Sequence, residues 1–269
     1  MRTSLLTVAT GLGLLFAGSA AAHDFFLVPE NFVETSGRPL IVHATSSSDF
    51  PALNVGSPQT RVEQVRAVVG GRPAAVEVQE QTAKSLRLAV SSEATGPGMV
   101  TVQTIWGESN WRPDQVDTYL DEHPFKAEEV AKVRRLLPKG APLQIRSRRL
   151  AKTLVCVRVC APPTTTAAAG LEVELVPAFD GASASPAKFQ LVRNGRPLPG
   201  HPVTVRPARG ALQNILTDNE GWVRIPAGMS GPVMLVAATL DLPKEPGGRF
   251  TTNNASVTFE AGHVPGGAH

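Results

Sequence analysis

Cleavage after Ala22 would leave His23 as the first residue of the chain, with Asp24 behind it, in the stretch "SAAAHDFFLVP". A histidine in that position offers two nitrogens at once. The freed α-amine and the ring Nδ1 close a chelate on a single metal ion. A second histidine would complete a T-shaped or square-planar nitrogen set, which suits Cu(II) or Ni(II). Both donors must be unprotonated, and an α-amine with a pKa of about 8 gives up its proton when a metal competes for it. Asp24 could add an oxygen or orient the ring.

The residues ahead of His23 make that cleavage the expectation. Arg2 supplies a positive start, Leu5 to Phe16 is an uncharged apolar run, and Ala20 and Ala22 occupy the small positions before the break. This is the layout of a cleaved secretory signal, here residues 1–22. The run is shorter than the ~20 residues a membrane-spanning helix needs. A periplasmic location follows as the expectation.

The second histidine is harder to place. His43, in "LIVHATSSSDFP", stands on a strand that could pair near the first one. The expected metal set is therefore His23, Asp24 and His43. His123 precedes Pro124 at a predicted helix end, where a cation suits the helix dipole and capping is the simpler reading. His201 falls in a turn, and His263 and His269 lie in the tail. The plain alternative is that His23 merely opens the first strand and His43 is a hydrogen-bonded structural histidine.

Cys156 and Cys160 are four apart in "VCVRVC". A straight strand would hold their Cα atoms roughly 13 Å apart, beyond disulfide reach. An oxidising compartment favours a bond if the strand bends before "APP"; otherwise the thiols stay free or form a soft Cu(I) pair. Trp106, Trp111 and Tyr119 could make a sugar-stacking surface, although such residues more often pack a helix onto a sheet.

The elements that must position these groups are mostly strands. Gly 24, Pro 23 and only 5% aromatic residues in 269 suit a turn-rich β protein. Leu86, Leu88 and Val90 alternate as a half-buried strand does, and "GGRP" reads as a hairpin turn. One helical insert is expected at 113–137. Pro113 opens its first helix, with Val116, Tyr119 and Leu120 at helical spacing, and Val130, Val133 and Leu137 line a second. The segment "APPTTTAAAG", 161–170, has the composition of a linker between an N-terminal β-rich domain (23–160) and a C-terminal β-sandwich (171–261), with a tail at 262–269. The expected fold is mainly β, two sandwich-like domains. In "TDNEGWVRI", Asp218 reads as a turn cap and Gly221 as a backbone position other residues resist.

The formal net charge of +3 falls by one when Arg2 is removed, and no basic face interleaved with aromatics argues for nucleic acid. "KVRRLL" and "RSRRLAK" read as solvated faces. The chain has no G-x-S-x-G and no P-loop, so a binding protein rather than an enzyme is expected.

"NGRPLPGHPVTV" followed by "TDNEGWVRI" resembles the strand–turn–strand pattern of transthyretin-like and collagen-adhesin B-type sandwiches. Taken in order, "AHDFFLVP", "SSSDFPAL", "QVDTYLDEH", "SRRLAKTLVCV", "LEVELVP" and "ASVTFE" resemble a family of bacterial periplasmic proteins. That family is catalogued as a domain of unknown function and associated with nickel or cobalt uptake. The resemblance implies two β-rich domains in the periplasm and a role in handling nickel or cobalt, with a membrane metal transporter as partner; the His23 chelate adds Cu(II) to Ni(II) and Co(II) as the candidate ion. Similar proteins often carry a histidine where this chain has Ala237, Ala238 and Thr239. The competing readings are a sandwich module that binds carbohydrate or a partner protein and, last, an N-terminal-histidine copper oxidase acting on polysaccharide.

Overall fold

A computed structural model describes residues 23–123, 125–137, 142–160, 168–181, 183, 185–245 and 248–262. The expected signal peptide, most of the expected linker and tail, and His263 and His269 lie outside the described residues.

The first half runs through β1 (Asp24–Pro29), β2 (Val33–Glu34), β3 (Leu40–Ser47), β4 (Val55–Gly56), β5 (Val62–Val69), β6 (Arg72–Gln81), β7 (Leu86–Ser91), β8 (Gly96–Thr104) and β9 (Gly107–Trp111). Helices α1 (Pro113–Glu122) and α2 (Ala127–Leu136) follow, then the long β10 (Leu143–Val157). Beyond it come β11 (Val173–Ala178), β12 (Lys188–Arg193), β13 (Arg196–Pro197), β14 (Pro202–Pro207), β15 (Gln213–Leu216), β16 (Trp222–Arg224), β17 (Gly231–Asp241) and β18 (Phe250–Ala261). The fold is mainly β with a short helical insert, as composition and periodicity predict.

The large sheet has the neighbour order β1-β3-β7-β6-β5-β8-β10-β18-β17-β14-β15. Strand β6 is shared: its start pairs with β5 and the rest with β7, with a register shift between Val78 and Glu80. A bulge of this kind bends and twists a strand, and the sheet turns back on itself here. Leu27, Val42 and Leu88 from one half meet Val100, Val102 and Ala151 from the other in a shared core. A second sheet, β11-β12-β13 with β16 on β12, covers the opposite face of β10, β18, β17 and β14. Phe189 and Leu191 pack there against Leu235, Val257 and Phe259. Each such side chain, withdrawn fully from water, contributes about 2–3 kcal/mol.

Strand β10 runs parallel to β18, Ile145 opposite Phe250 through Thr153 opposite Thr258. Strands from either side of residues 161–170 therefore lie in one sheet. Alternation along β18 sends Ala255, Val257 and Phe259 to one core and Asn254, Ser256 and Thr258 to the other face. On that second face Ser256 Oγ donates to the carbonyl of Phe25 at 2.7 Å and Thr258 Oγ1 to that of Leu27 at 2.6 Å. Carbonyls on the outer edge of β1 thus find partners in side chains, which fixes β1 across the central sheet and sets where His23 emerges.

Two turns follow the sequence closely. Gly70 and Gly71 join β5 to β6 with φ of 56° and 75°, the left-handed pair a tight hairpin demands. Asp218 Oδ1 accepts from the backbone N–H of Glu220 and of Trp222, both at 2.9 Å, and Gly221 has φ 80°. Strand β10 ends in a bend: Arg158 adopts φ 63°, bringing the Cα atoms of Cys156 and Cys160 to 5.7 Å, and the two sulfurs are bonded.

Candidate functional site

Helix α1 begins at Pro113, whose missing N–H costs nothing in the first turn, and Gln115 reaches back to accept from the N–H of Arg112 at 3.0 Å. Its spacing buries Val116, Tyr119 and Leu120 against Ile145 and Phe250. Tyr119 donates from its hydroxyl to Asn254 Oδ1 at 3.1 Å and, having one proton only, accepts from Thr252 at 2.7 Å. Desolvation raises the Tyr119 phenol to a pKa of about 12, against the pull of those two hydrogen bonds. It is a neutral anchor, fastening the helix to β18.

At the end of α1 stands His123, 8% exposed, its ring 4.2 Å from that of Tyr119. Its Nδ1 lies 3.2 Å from the carbonyl oxygen of Tyr119. A carbonyl only accepts, so Nδ1 carries the proton and Nε2 the lone pair. Burial holds the ring pKa down to about 4; the Tyr119 carbonyl opposes that shift and the positive charge of Arg149 assists it. His123 is thus a neutral nitrogen donor across the physiological range, with its tautomer fixed by a backbone bond of the type that orients metal-ligating histidines.

His123 and His23 line one cavity of about 280 Å³, together with Asp24, Trp111, Tyr119 and Arg149. The cavity lies where β10 changes character. Its inward-facing residues run Ile145, Ser147, Arg149, Ala151: apolar at both ends, where they join two hydrophobic clusters, and polar between. Asn254 and Ser256 of β18 supply the neighbouring wall.

The residues expected from the sequence divide accordingly. His23 is at the cavity, its Nε2 3.3 Å from Asn54 Nδ2. Asp24 is also there, its carboxylate 3.3 Å from Arg206 Nη2. His43 is not. In the β1–β3 register it stands opposite Val28, five residues beyond His23, roughly 16 Å along the strand at about 3.3 Å per residue. It lines a different cleft, with Nδ1 2.9 Å from Ser85 Oγ and Nε2 3.3 Å from Glu30 Oε1. His201 is buried, its Nε2 donating to the Ala238 carbonyl at 3.0 Å. Of the Ala237–Thr239 trio, Ala237 points into the core against the second sheet. Ala238, cross-strand from Asn254, shares the cavity's face of the sheet. Trp106 is not in the cavity; Arg146 and Arg148 lie over its ring at 4.6 and 5.2 Å.

Sequence reasoning placed His123 as a cap and Arg149 on a solvated face. The cap is real, since the ring bonds the last turn through Nδ1, and among the described residues Nε2 has no hydrogen-bond partner. For Arg149 a signal existed: it shares the alternation phase of Ile145 and Ala151, both of which are buried in apolar clusters. Among the described residues no group of three or more His, Cys, Asp and Glu side chains comes within ligating reach. A nitrogen set here would need the α-amine of a processed His23.

Comparison with known proteins gives a family and no activity. None of the curated proteins matches the sequence. Among solved structures, the D0-D1 domain of Intimin aligns over 88% of this chain and 98% of its own at 14% identity, with a TM-score of 0.23. That is too distant to carry an argument. Residues 20–241 match the family DUF4198, described as a domain of unknown function. That match covers most of the sequence, and the chain belongs to the DUF4198 family.

Proposed function

We propose that the processed, exported chain binds one divalent transition ion, nickel, cobalt or copper, in the cavity between β1, α1 and β10. It would act in the periplasm as a non-catalytic accessory to metal uptake or delivery, with a membrane metal transporter as its partner. The observation behind this reading is that His23 and the neutral, lone-pair-bearing His123 line the same cavity. The α-amine and ring of His23 with His123 Nε2 would give three nitrogens, a set suited to Cu(II) or Ni(II). Asp24, tied to Arg206, would orient the first residue rather than ligate.

Mass spectrometry of the exported protein establishes whether His23 is first. Calorimetric titration of that material with Cu(II) and Ni(II), beside a form with Ala placed before His23, then tests the site. Tight binding that the extension abolishes supports it. Equal binding by both forms removes the N-terminal chelate, and no binding by either leaves a sandwich module for a carbohydrate or protein ligand.

A further inference from the structure

Arg149 is a cation built into the same cavity, and its surroundings differ from those of its neighbours. Arg148 is 2.6 Å from Glu63, Arg193 holds Asp241, and Arg206 holds Asp24. Among the described residues no carboxylate lies within 4 Å of the Arg149 guanidinium. Its Nη1 donates to Ser46 Oγ at 2.9 Å, and the Phe25 ring lies 5.9 Å beneath it. More than a third of the residue stays accessible although protein surrounds it, as expected of a side chain on a concave wall. The charged and titratable groups around it are Arg61, Asp24, Tyr119 and His123, and His23 lines the same cavity. Burial lowers its pKa and Arg61 adds to that, with Tyr119 and Asp24 opposing. A guanidinium in this position presents a fork of N–H donors suited to a carboxylate. Asn254, whose Oδ1 accepts from Tyr119, lines the same wall, and its amide nitrogen has no hydrogen-bond partner among the described residues.

We propose that Arg149 is a carboxylate anchor, and that the cavity takes its metal ion as a complex with a small amino- or hydroxy-acid rather than as the bare ion. This rests on the metal reading above. His23 and His123 would fill three positions of a square-planar ion, and the fourth falls to a ligand whose carboxylate reaches Arg149. A cavity of about 280 Å³ lies just under the roughly 300–1,000 Å³ of drug-sized sites, so the chelator is small.

The test uses the processed full-length protein, Ni(II), and radiolabelled glycine, with acetate as a carboxylate lacking the second donor. Glycine competes for nickel in solution, so a site for the bare ion retains less metal when glycine is added. The expected result is the reverse: nickel retained on dialysis at least tenfold more tightly, one glycine held per nickel, and no effect of acetate. Arg149→Met should lose the glycine and its enhancement while binding nickel alone no more weakly, because a like charge has been removed. Arg149→Lys, which keeps the charge without the fork, should recover only part of the enhancement, with an unchanged urea midpoint as the folding control. Nickel bound alone but weakened by glycine overturns the anchor and spares the metal site. Glycine retention that survives Arg149→Met also overturns the anchor. Failure of nickel with and without glycine overturns both readings.

Discussion

Lys152 Nζ lies 2.7 Å from Glu174 Oε1, and both side chains are about 1% exposed. The pair ties β10 to β11, and its two halves are unequally supported. The Glu174 carboxylate also accepts the backbone N–H groups of Ala169, Gly170 and Leu171. Lys152 has the carboxylate as its one charged partner within 4 Å among the described residues. Removing one member of a buried pair strands the other, at about 3–5 kcal/mol. We predict that Glu174→Leu falls at the upper end of that range, because the ammonium is left with nothing. Lys152→Met should fall at the lower end, because three N–H donors still hold the carboxylate. The double variant should cost less than the sum. Urea unfolding of the three variants measures the asymmetry, and equal losses would refute it.

The depressed pKa of His123 makes metal-free stability depend on pH. The folded ring titrates near 4, against about 6.5 when unfolded, so between those values the unfolded chain binds more protons. Stability from this group is fully present above pH 6.5 and is lost as pH falls toward 4, by about 3 kcal/mol in all. In His123→Gln that component should vanish, leaving the smaller slope from His201, whose pKa burial also lowers, and the slope that carboxylates impose below about pH 5. Urea midpoints from pH 7 to 4.5 in the presence of a chelator compare the two. Parallel curves would mean that the ring charges freely in the fold.

What the sequence made legible was local. Helix α1 could be read from Pro113 and the spacing of Val116, Tyr119 and Leu120, because a helix closes its hydrogen bonds within four residues. The turns at Gly70–Gly71 and Asp218–Gly221 were legible for the same reason. The cavity was not, because it depends on pairing across about a hundred residues: the parallel register of β10 with β18 sets Ser147 and Arg149 beside Asn254 and Ser256. Pairing register is fixed by the packing of whole faces, and "RSRRLAK" carries no local sign of it. His43 illustrates the converse. Its strand does pair with that of His23, as expected, but antiparallel register carries it to the far end.

The hairpin at Gly70–Gly71 separates two costs that usually occur together. Both residues have positive φ, so an Ala at either position carries about 1–2 kcal/mol of backbone strain. At Gly71 an added Cβ meets nothing within 4 Å, whereas at Gly70 it would lie 2.4 Å from the carbonyl oxygen of Thr95. Gly71→Ala should therefore cost about 1–2 kcal/mol, and Gly70→Ala clearly more, since backbone must move. Thermal unfolding of the two variants side by side distinguishes them; equal shifts would show that the loop holding Thr95 yields without cost.

Proton release provides a sharper check on the metal reading than affinity alone. If His123 is neutral in the fold, it contributes no proton to the exchange at pH 7, and the α-amine of His23, with an ordinary pKa of about 8, contributes most of one. Nickel or copper titrations in two buffers of different ionisation enthalpy should report close to one proton released per metal at pH 7, falling toward zero above pH 9. Affinity should rise by nearly tenfold per pH unit below pH 7, by about tenfold in all between pH 7 and 9, and then level off. The form extended by Ala presents its amine one residue too early to close the same chelate. It should bind at least a hundredfold more weakly and lose this pH profile. Two or more protons released at pH 7 would point to histidines that are charged before the metal arrives, which the buried, carbonyl-bonded ring of His123 does not allow.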